Sequence, residues 1–216
     1  MQIVLIGYRK WALKAFSQFK NLKSFSSKKD LEIFLEEFSS KEELCLIFAG
    51  WSEIIKSEII KKHICICLHP SDLPLFRGGS PIQNQKINGI TESKLTAFRM
   101  DEGIDTGPII YKIKLSLKGH MKDIFFALEN ATIKIIQKII ENCNSSFLRG
   151  QVQNDSIATY FKRRHPSESE ITIEDLKTLS STFLFEKICA LEDPYPNAFI
   201  KTIDNKKLLL KFVEIE

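Results

Sequence analysis

One histidine and three carboxylates in this sequence are candidates for an acid–base pair. His69 follows an apolar run, 64–68, that is typical of a buried strand. Asp101, Glu102 and Asp105 follow a second strand-like run, in a turn-rich segment. Ligands of open parallel sheets bind outside the carboxyl ends of the strands. A carboxylate brought there beside an imidazole would orient the ring and favour its protonated form, as in general acid–base catalysis.

Each of these residues also has an ordinary structural explanation. A histidine at a strand end is often a satisfied structural residue, and acidic residues in turns are often solvated. The segment after His69 supports the functional interpretation. It is a loop bracketed by Pro70 and Pro74, followed by a Gly-Gly turn at 78–79 and by Ser80 as the expected cap of a helix.

Several common site motifs are missing from the sequence. The first apolar run, 3–6, leads into Gly-Tyr-Arg-Lys rather than a glycine-rich phosphate loop. No cysteine–histidine spacing matches a zinc site, so we predict no metal. Cys65 and Cys67 fall on one face of a buried strand, where small core residues are expected.

Strand and helix patterns alternate along the first part of the chain. The strand patterns are short apolar or β-rich runs, at residues 3–6, 44–48, 64–68, 95–100 and 109–115. Helical spacing separates the first three, and a long amphipathic helix is predicted over 121–142. This alternation predicts an α/β fold with a Rossmann-like, open, mostly parallel sheet flanked by helices, placed at residues 1–150.

The chain changes character after this unit. Residues 151–156 are polar, and a basic stretch follows them. Beyond it come a helix with Thr172 as its expected cap and two strand-like runs, 198–203 and 208–213. We therefore predict a small α+β extension at residues 151–216, whose apolar strands offer an edge at which a homodimer could form.

The composition limits the function classes. With 216 residues, 44% hydrophobic and 27% charged, the chain can bury a sizeable core. The net charge of +4 is too small to indicate a nucleic-acid partner. No apolar run approaches the ~20 residues of a membrane span, so no membrane partner is expected. Five cysteines, an odd number, suit reduced thiols and a cytoplasmic location.

Two segments of the sequence resemble the folate-dependent formyltransferases. They are HPSDLPLFRGGSPI at 69–82 and LTAFRMDEGIDTGPI at 95–109. This superfamily includes glycinamide ribonucleotide transformylase, methionyl-tRNA formyltransferase and the N-formyltransferases of nucleotide-linked amino sugars. The resemblance is specific over residues 45–115. It implies transfer of a formyl group from N10-formyltetrahydrofolate, as co-substrate, to an amine.

The resemblance also implies the catalytic residues. The family's His and Asp match His69 and Asp105, but the family's Asn, two positions before the His, is Cys67 here. An S–H group is a weak donor, and one oxyanion donor can be worth about 10²–10³ in rate. Gln83 or Asn84, at the start of the next helix, could replace the missing amide, although residues there are commonly solvated.

The same resemblance suggests residues for the two ligands. Those expected beside the folate are Trp51, Arg77, Gly78, Asp101, Glu102 and Gly103. Those expected to bind the diphosphate and base of a sugar nucleotide are Lys162, Arg163, Arg164 and Tyr195. Trp51 is equally consistent with core packing, the basic run with a solvated surface, and Tyr195 with a residue that closes a hairpin.

The later part of the chain favours a nucleotide-linked amino sugar as acceptor. Residues 158–164 and 190–199 resemble the carboxyl-terminal region of the amino-sugar enzymes, and the residues after Gly150 leave little room for the barrel domain of the tRNA enzymes. The compact length and the variant at 78–81 look most like the enzymes of pseudaminic acid biosynthesis, which act on a UDP-linked 4-amino-4,6-dideoxy sugar.

Two alternatives remain open at this point. A folate-binding or regulatory module without turnover would fit the loss of the family's Asn at Cys67, whereas retention of both His69 and Asp105 opposes it. A hydrolase that releases formate from the folate is the other alternative, although such family members carry an extra regulatory domain.

Overall fold

The structure, a computed structural model, describes residues 1–38, 42–143 and 145–216. Its strands, in chain order, are β1 (Gln2–Ile6), β2 (Lys23–Phe25), β3 (Leu44–Ala49), β4 (Ile64–His69), β5 (Arg77–Gly78), β6 (Glu92–Arg99), β7 (Ile109–Ser116), β8 (Tyr160–Phe161), β9 (Ala198–Lys201) and β10 (Lys207–Leu210). Its helices are α1 (Lys10–Phe16), α2 (Lys28–Glu37), α3 (Ser57–Lys62), α4 (Pro81–Ile87), α5 (Met121–Glu141), α6 (Ser145–Arg149), α7 (Ile173–Thr178) and α8 (Ser181–Cys189). Within these ranges no helix is both long enough and apolar enough to cross a membrane.

Six strands form one mixed sheet, in the order β2-β1-β3-β4-β6-β7. The first four pair in parallel, whereas β6 is antiparallel to β4 and to β7. Strand β3 is buried along its whole length, as expected for a parallel strand covered on both faces. The predicted Rossmann-like, mostly parallel sheet flanked by helices is confirmed.

Helices cover both faces of this sheet. Alternate residues of β1 and β3 face two different apolar clusters, because successive side chains of a strand point to opposite faces. One cluster includes residues of α1 and α5, and the other includes Leu31 of α2. The helix predicted over 121–142 is α5, and its buried side chains recur at the spacing of a helical face. The core therefore fixes the carboxyl ends of β3 and β4 at one edge.

Two predicted helix caps differ in outcome. Thr172 accepts a hydrogen bond from the Asp175 N–H and caps α7 as expected. Ser80 occupies the N-cap position of α4 as predicted, but its backbone is left-handed, with φ 51°, and its side chain makes no cap bond to the helix. The Ser80 hydroxyl instead accepts the N–H of Arg164 at 3.1 Å, because the later chain returns to this loop.

The chain after residue 150 crosses the first unit before it forms the extension. Gln151 bridges Ile109, the first residue of β7, and β8 pairs in parallel with β5. Only beyond these contacts do α7, α8 and the β9–β10 hairpin follow. They surround a small core of buried residues, Ile171, Ile188, Leu191 and Ala198. The domain boundary at residue 150 stays a prediction.

An acidic residue in the loop after β4 pairs with two lysines, and these pairs should make the stability of the fold depend on pH. Asp72 pairs with Lys112 and, at 3.1 Å, with Lys94. Burial raises the pKa of this carboxyl, but hydrogen bonds from the two lysines outweigh it, so the pKa lies below its ordinary 3.8. A lowered folded-state pKa stabilises the fold above the unfolded-state pKa, and this contribution disappears as the pH falls through the folded-state value.

We therefore expect Asp72→Asn to lower the free energy of unfolding at neutral pH by about 0.2–1 kcal/mol, the range of solvent-exposed pairs. Urea denaturation at neutral pH and below about pH 3 measures the difference between the two proteins. The difference should shrink in acid. A difference of the same size at both pH values would contradict this account of Asp72.

Candidate functional site

His69 and Asp105 meet at the carboxyl edge of the sheet. His69 ends β4 and is buried, and Asp105 lies in the loop between β6 and β7. The distance from His69 Nδ1 to Asp105 Oδ2 is 3.4 Å. This is long for a hydrogen bond, but catalytic pairs often tighten only when the substrate is bound. The structure thus brings together the pair that we predicted, and the catalytic role of each residue stays a prediction.

Both ring nitrogens of His69 face oxygen atoms. Nε2 lies 2.9 Å from the carbonyl oxygen of Phe76, and because a carbonyl can only accept, Nε2 carries a proton. Nδ1 faces the Asp105 carboxylate. A ligand oxygen that approaches Nε2 must share its proton with the carbonyl of Phe76.

The Asp105 carboxylate is held through one of its two oxygens. Oδ2 faces His69 and also accepts the backbone N–H of Gly78 at 2.7 Å. Among the described residues no hydrogen bond reaches Oδ1, so this oxygen can accept a proton from a ligand. The Asp105 backbone is left-handed, with φ 56°, which is uncommon for residues with a Cβ atom. Neighbouring groups must therefore hold this backbone conformation.

Gln153 holds the Asp105 loop, and the sequence analysis did not single it out. Its amide nitrogen donates to the carbonyl oxygens of Asp105, at 2.9 Å, and Gly107, at 2.7 Å. Its amide oxygen accepts from Nε and a terminal nitrogen of Arg77, at 3.2 and 2.8 Å. Because both ends of the buried amide are bound, Gln153 fixes the loop relative to β5. Gln153 is thus a candidate positioning residue.

The Arg77 guanidinium is fully buried and bound within the protein. Besides Gln153 it contacts Asp155 at 2.8 Å and the hydroxyl of Tyr160, whose ring lies 5.2 Å from the guanidinium carbon. We predicted Arg77 beside the folate. Its side-chain contacts do not support that role, because each of its nitrogens donates to a residue of the segment 153–160.

Gly78 is a glycine because the backbone of β8 passes close to it. Its φ is 94°, and a Cβ atom placed there would lie 2.4 Å from the carbonyl oxygen of Phe161. Any side chain would therefore push β8 away. The Gly78 N–H donates a hydrogen bond to Asp105. The contact of Gly78 with the folate stays a prediction.

Cys67 lies two residues before His69, on the same strand. It is half-buried and pairs with Phe48 of β3 and Phe98 of β6. Burial raises the pKa of its thiol well above the ordinary value, and the charge of Asp105 raises it further. The thiol is therefore protonated at neutral pH. It offers only a weak S–H donor where the resemblance places an amide.

The two amides predicted to replace that donor face other groups. Asn84 donates to the carbonyl oxygen of Gly79 at 2.8 Å. Gln83 lies beside Tyr195 at a small cavity of about 40 Å³, where its buried Nε2 has no partner in the part of the chain that the structure describes. No recorded contact of the described residues joins either amide to His69. The catalytic assignment of Gln83 and Asn84 is therefore not supported.

Trp51 lies at the same sheet edge as His69. It follows β3 by two residues, and its ring packs 5.2 Å from Tyr8 and 6.2 Å from Phe48. The indole N–H is buried and unpartnered in the described ranges. Trp51 thus combines an aromatic face with an unused donor, and its place beside a folate stays a prediction.

The other predicted folate residues form a turn and a surface pair. Asp101 Oδ1 accepts from the Gly103 N–H at 3.0 Å and from the Thr106 hydroxyl at 2.6 Å. Glu102 is exposed and pairs with Lys61 at 2.8 Å. These side chains shape the loop before Asp105, and any contact with a ligand stays a prediction.

The predicted substrate residues divide into two groups. Lys162 and Arg163 are exposed. Arg164 is half-buried and donates to the carbonyl oxygen of Glu168 at 2.7 Å. Arg164 also lines the small cavity beside Gln83, together with Tyr195, whose pKa is raised by burial. Lys162 and Arg163 therefore offer their charges to solvent, whereas Arg164 has an internal partner.

A substitution of Gln153 tests its positioning role. We expect Gln153→Ala to lower the kcat of whatever reaction His69 and Asp105 perform by about tenfold, since a 1 Å misplacement can cost 10²-fold. The KM values should change less, because no ligand contact is removed. Gln151→Ala, at an exposed glutamine two residues away, is the matched control. An unchanged kcat in folded Gln153→Ala would show that the loop needs no such support.

Comparison with known proteins gives a family match over most of the first unit. The family described as formyl transferase matches residues 14–144. In sequence, the chain is 31% identical over 181 residues to a methionyl-tRNA formyltransferase of Lachnospira eligens, covering 82% of this chain and 56% of that relative. The chain thus spans little more than half the length of this relative.

Solved structures give the same fold. A methionyl-tRNA formyltransferase from Clostridium thermocellum matches with a TM-score of 0.79 and 30% identity, over 94% of this chain and 88% of that chain. A 4-N formyltransferase from Francisella tularensis matches with a TM-score of 0.75 and 18% identity, over 99% and 98% of the two chains. At 18% identity, this second match shows the fold alone.

Proposed function

Because this chain belongs to the formyl transferase family, we propose that it transfers a formyl group from N10-formyltetrahydrofolate to an amine. The observation that carries the proposal is the contact between His69 and Asp105 at the carboxyl end of β4. This edge is where open α/β sheets bind their ligands. The pair supplies one N–H donor and one free carboxylate oxygen, which are the two groups that acyl transfer to an amine requires.

In the proposed transfer, each of these two groups has one task. The amine nitrogen attacks the formyl carbon, and the N–H of His69 stabilises the negative oxygen that develops. Asp105 Oδ1 accepts the proton that the amine loses, directly or through a water. The bond from the formyl carbon to N10 then breaks, and N10 takes up the proton that Asp105 received, directly or through a water. The products are the formylated amine and tetrahydrofolate.

We propose a nucleotide-linked amino sugar as the acceptor, with a UDP-linked 4-amino-4,6-dideoxy sugar as the favoured case. The resemblance of residues 158–164 and 190–199 to the amino-sugar enzymes supports this choice. The exposed charges of Lys162 and Arg163 suit the oxygens of a diphosphate. The two residues before this basic pair, 160–161, form β8 beside β5, which carries the Gly78 N–H that contacts Asp105.

The amine of methionyl-tRNA is the second candidate acceptor. It is favoured by sequence, since the relative from Lachnospira eligens and the structure from Clostridium thermocellum are 31% and 30% identical to this chain. The two acceptors differ in size and charge but place the same chemical group at the same pair of residues. An experiment that compares the two acceptors is therefore needed to choose between them.

The test is incubation of the full chain with N10-formyltetrahydrofolate and a panel of UDP- and dTDP-linked amino sugars, with methionyl-tRNA in a separate arm. We expect one amino sugar to gain the mass of a formyl group. Formylation of methionyl-tRNA alone would overturn the sugar acceptor and retain the transfer. Free formate without a formylated product would identify a hydrolase, and folate binding without either product would identify a module without turnover.

A further inference from the structure

A second group of reactive side chains shares no residue with the proposed site. His120 precedes α5, Cys189 ends α8, and Glu192 lies in the following turn. Nδ1, Sγ and a carboxylate oxygen of these residues lie within 4.8 Å of one another. Cys189 and Glu192 are buried, and His120 is half-buried. We propose that these three side chains bind a divalent cation of the zinc class.

One of the three ligand pairs already has the spacing of a tetrahedral ion. With Zn–N of about 2.0–2.1 Å and Zn–S of about 2.3 Å, tetrahedral nitrogen and sulfur ligands lie about 3.6 Å apart. His120 Nδ1 and Cys189 Sγ are 3.6 Å apart. Nδ1 and Glu192 Oε1 are 2.6 Å apart, so this pair must open by about 0.8 Å to bind a shared ion.

Neighbouring groups orient two of the three ligands. The His120 ring stacks on Phe212 at 4.5 Å and meets the edge of Phe185 at 5.7 Å. Glu192 Oε2 accepts the backbone N–H of Met121 at 2.8 Å, which directs Oε1 towards Nδ1. Contacts of this kind around metal ligands fix the ring orientation and hold the carboxylate. Because two aromatic side chains hold the His120 ring, the opening is expected at the Glu192 carboxylate.

The mixed ligand set selects the kind of metal. Sulfur, nitrogen and oxygen ligands together suit zinc, whereas magnesium and calcium prefer oxygen ligands alone. A thiolate and a carboxylate neutralise the two positive charges of the ion, and the imidazole binds through an unprotonated Nδ1. The thiol proton and the Nδ1 proton both pass to solvent, Nε2 carries the remaining proton of the neutral imidazole, and a water completes the tetrahedron.

Binding would link the extension to the sheet domain. Cys189 and Glu192 belong to α8 and the turn after it, whereas His120 belongs to the turn that begins α5. An ion that binds the folded chain and not the unfolded one stabilises this junction. The sequence prediction of no metal considered only local spacing. Cys189 and Glu192 lie 69 and 72 positions after His120, and no short sequence motif describes such separations.

Titration of the chelator-treated full chain with Co²⁺, followed by displacement with Zn²⁺, tests the site. We expect one equivalent of Co²⁺ to bind and to produce a thiolate-to-cobalt charge-transfer absorption, which Zn²⁺ removes. Cys189→Ser should lose this absorption. Cys143→Ser, at a half-buried cysteine outside the cluster, should retain it. Glu192→Gln keeps the acceptor for the Met121 N–H and should weaken the affinity by more than about 100-fold, since outer contacts alone cost 10–100-fold.

The outcome does not depend on formyl transfer, because the readout is absorbance. Circular dichroism confirms that each variant is folded. Absence of saturable Co²⁺ binding by the wild-type chain would overturn the proposal. Retention of the thiolate absorption in Cys189→Ser, or wild-type affinity in folded Glu192→Gln, would also overturn it.

Discussion

Replacing His69 by alanine is expected to lower the kcat of formyl transfer by about 10²–10⁴-fold, the range that a positioned acid or base contributes. In the proposed mechanism His69 supplies the N–H of Nε2 to the developing oxygen, and alanine leaves no donor there. Its Nδ1 partner, Asp105, would face an empty space in the variant. Steady-state kinetics with saturating N10-formyltetrahydrofolate and the identified acceptor would measure the loss.

His63→Ala is the matched control for this substitution. His63 is also a buried histidine, and its Nδ1 accepts the backbone N–H of Leu44 at 3.3 Å, outside the proposed site. Its loss should reduce stability while kcat stays near the wild-type value. Wild-type turnover by a folded His69→Ala variant would remove His69 from the reaction, and with it the mechanism proposed here.

The fold was predictable where buried segments carry a strong pattern. The uninterrupted apolar runs of β1, β3 and β4 can be satisfied only by strands covered on both faces. The spacing along α5 likewise identifies one long helical face. By contrast, β2 has three residues at the sheet edge, none of them buried, so its sequence carries no burial pattern. The antiparallel direction of β6 depends on chain crossings that a local pattern does not encode.

The sequence predicted the reacting pair of the proposed site, but not the residues that hold this pair in position. His69 and Asp105 follow strands, so the sheet alone brings them to one edge. Gln153 reaches the Asp105 carbonyl from 48 positions away, within a polar stretch that has the composition of a linker. The buried Arg77 beside it has the appearance in sequence of an exposed basic residue. Hydrogen bonds across such separations leave no periodic signal in the sequence.

These contacts change how the predicted boundary at residue 150 is understood. The composition does change there, but Gln153, Tyr160 and Phe161 contact the loops that carry Asp105 and Gly78. The strained backbone of Asp105 is therefore held by residues assigned to the extension. The segment 151–161 belongs physically to the proposed site, whatever the division of the remaining chain.

Cys67→Asn is expected to raise the kcat of formyl transfer by about 10²-fold, the lower end of what one oxyanion donor contributes. Asparagine restores the N–H donor that the family resemblance places two residues before His69. The Cys67 thiol cannot do the same work, because it stays protonated beside Asp105 and its S–H donates weakly. The position is half-buried at the end of β4, so the added amide can reach the sheet edge. Steady-state kinetics of the variant and the wild type measure the gain.

Cys67→Val separates a donor effect from a packing effect at the same position. Valine fills the space without a donor, so its kcat should not exceed that of the wild type. Equal gains in Cys67→Asn and Cys67→Val would mean that the thiol obstructs the site rather than donating too weakly. No gain in a folded Cys67→Asn variant would mean that the developing oxygen needs no amide at position 67. His69 would then stabilise that oxygen without the help of such an amide.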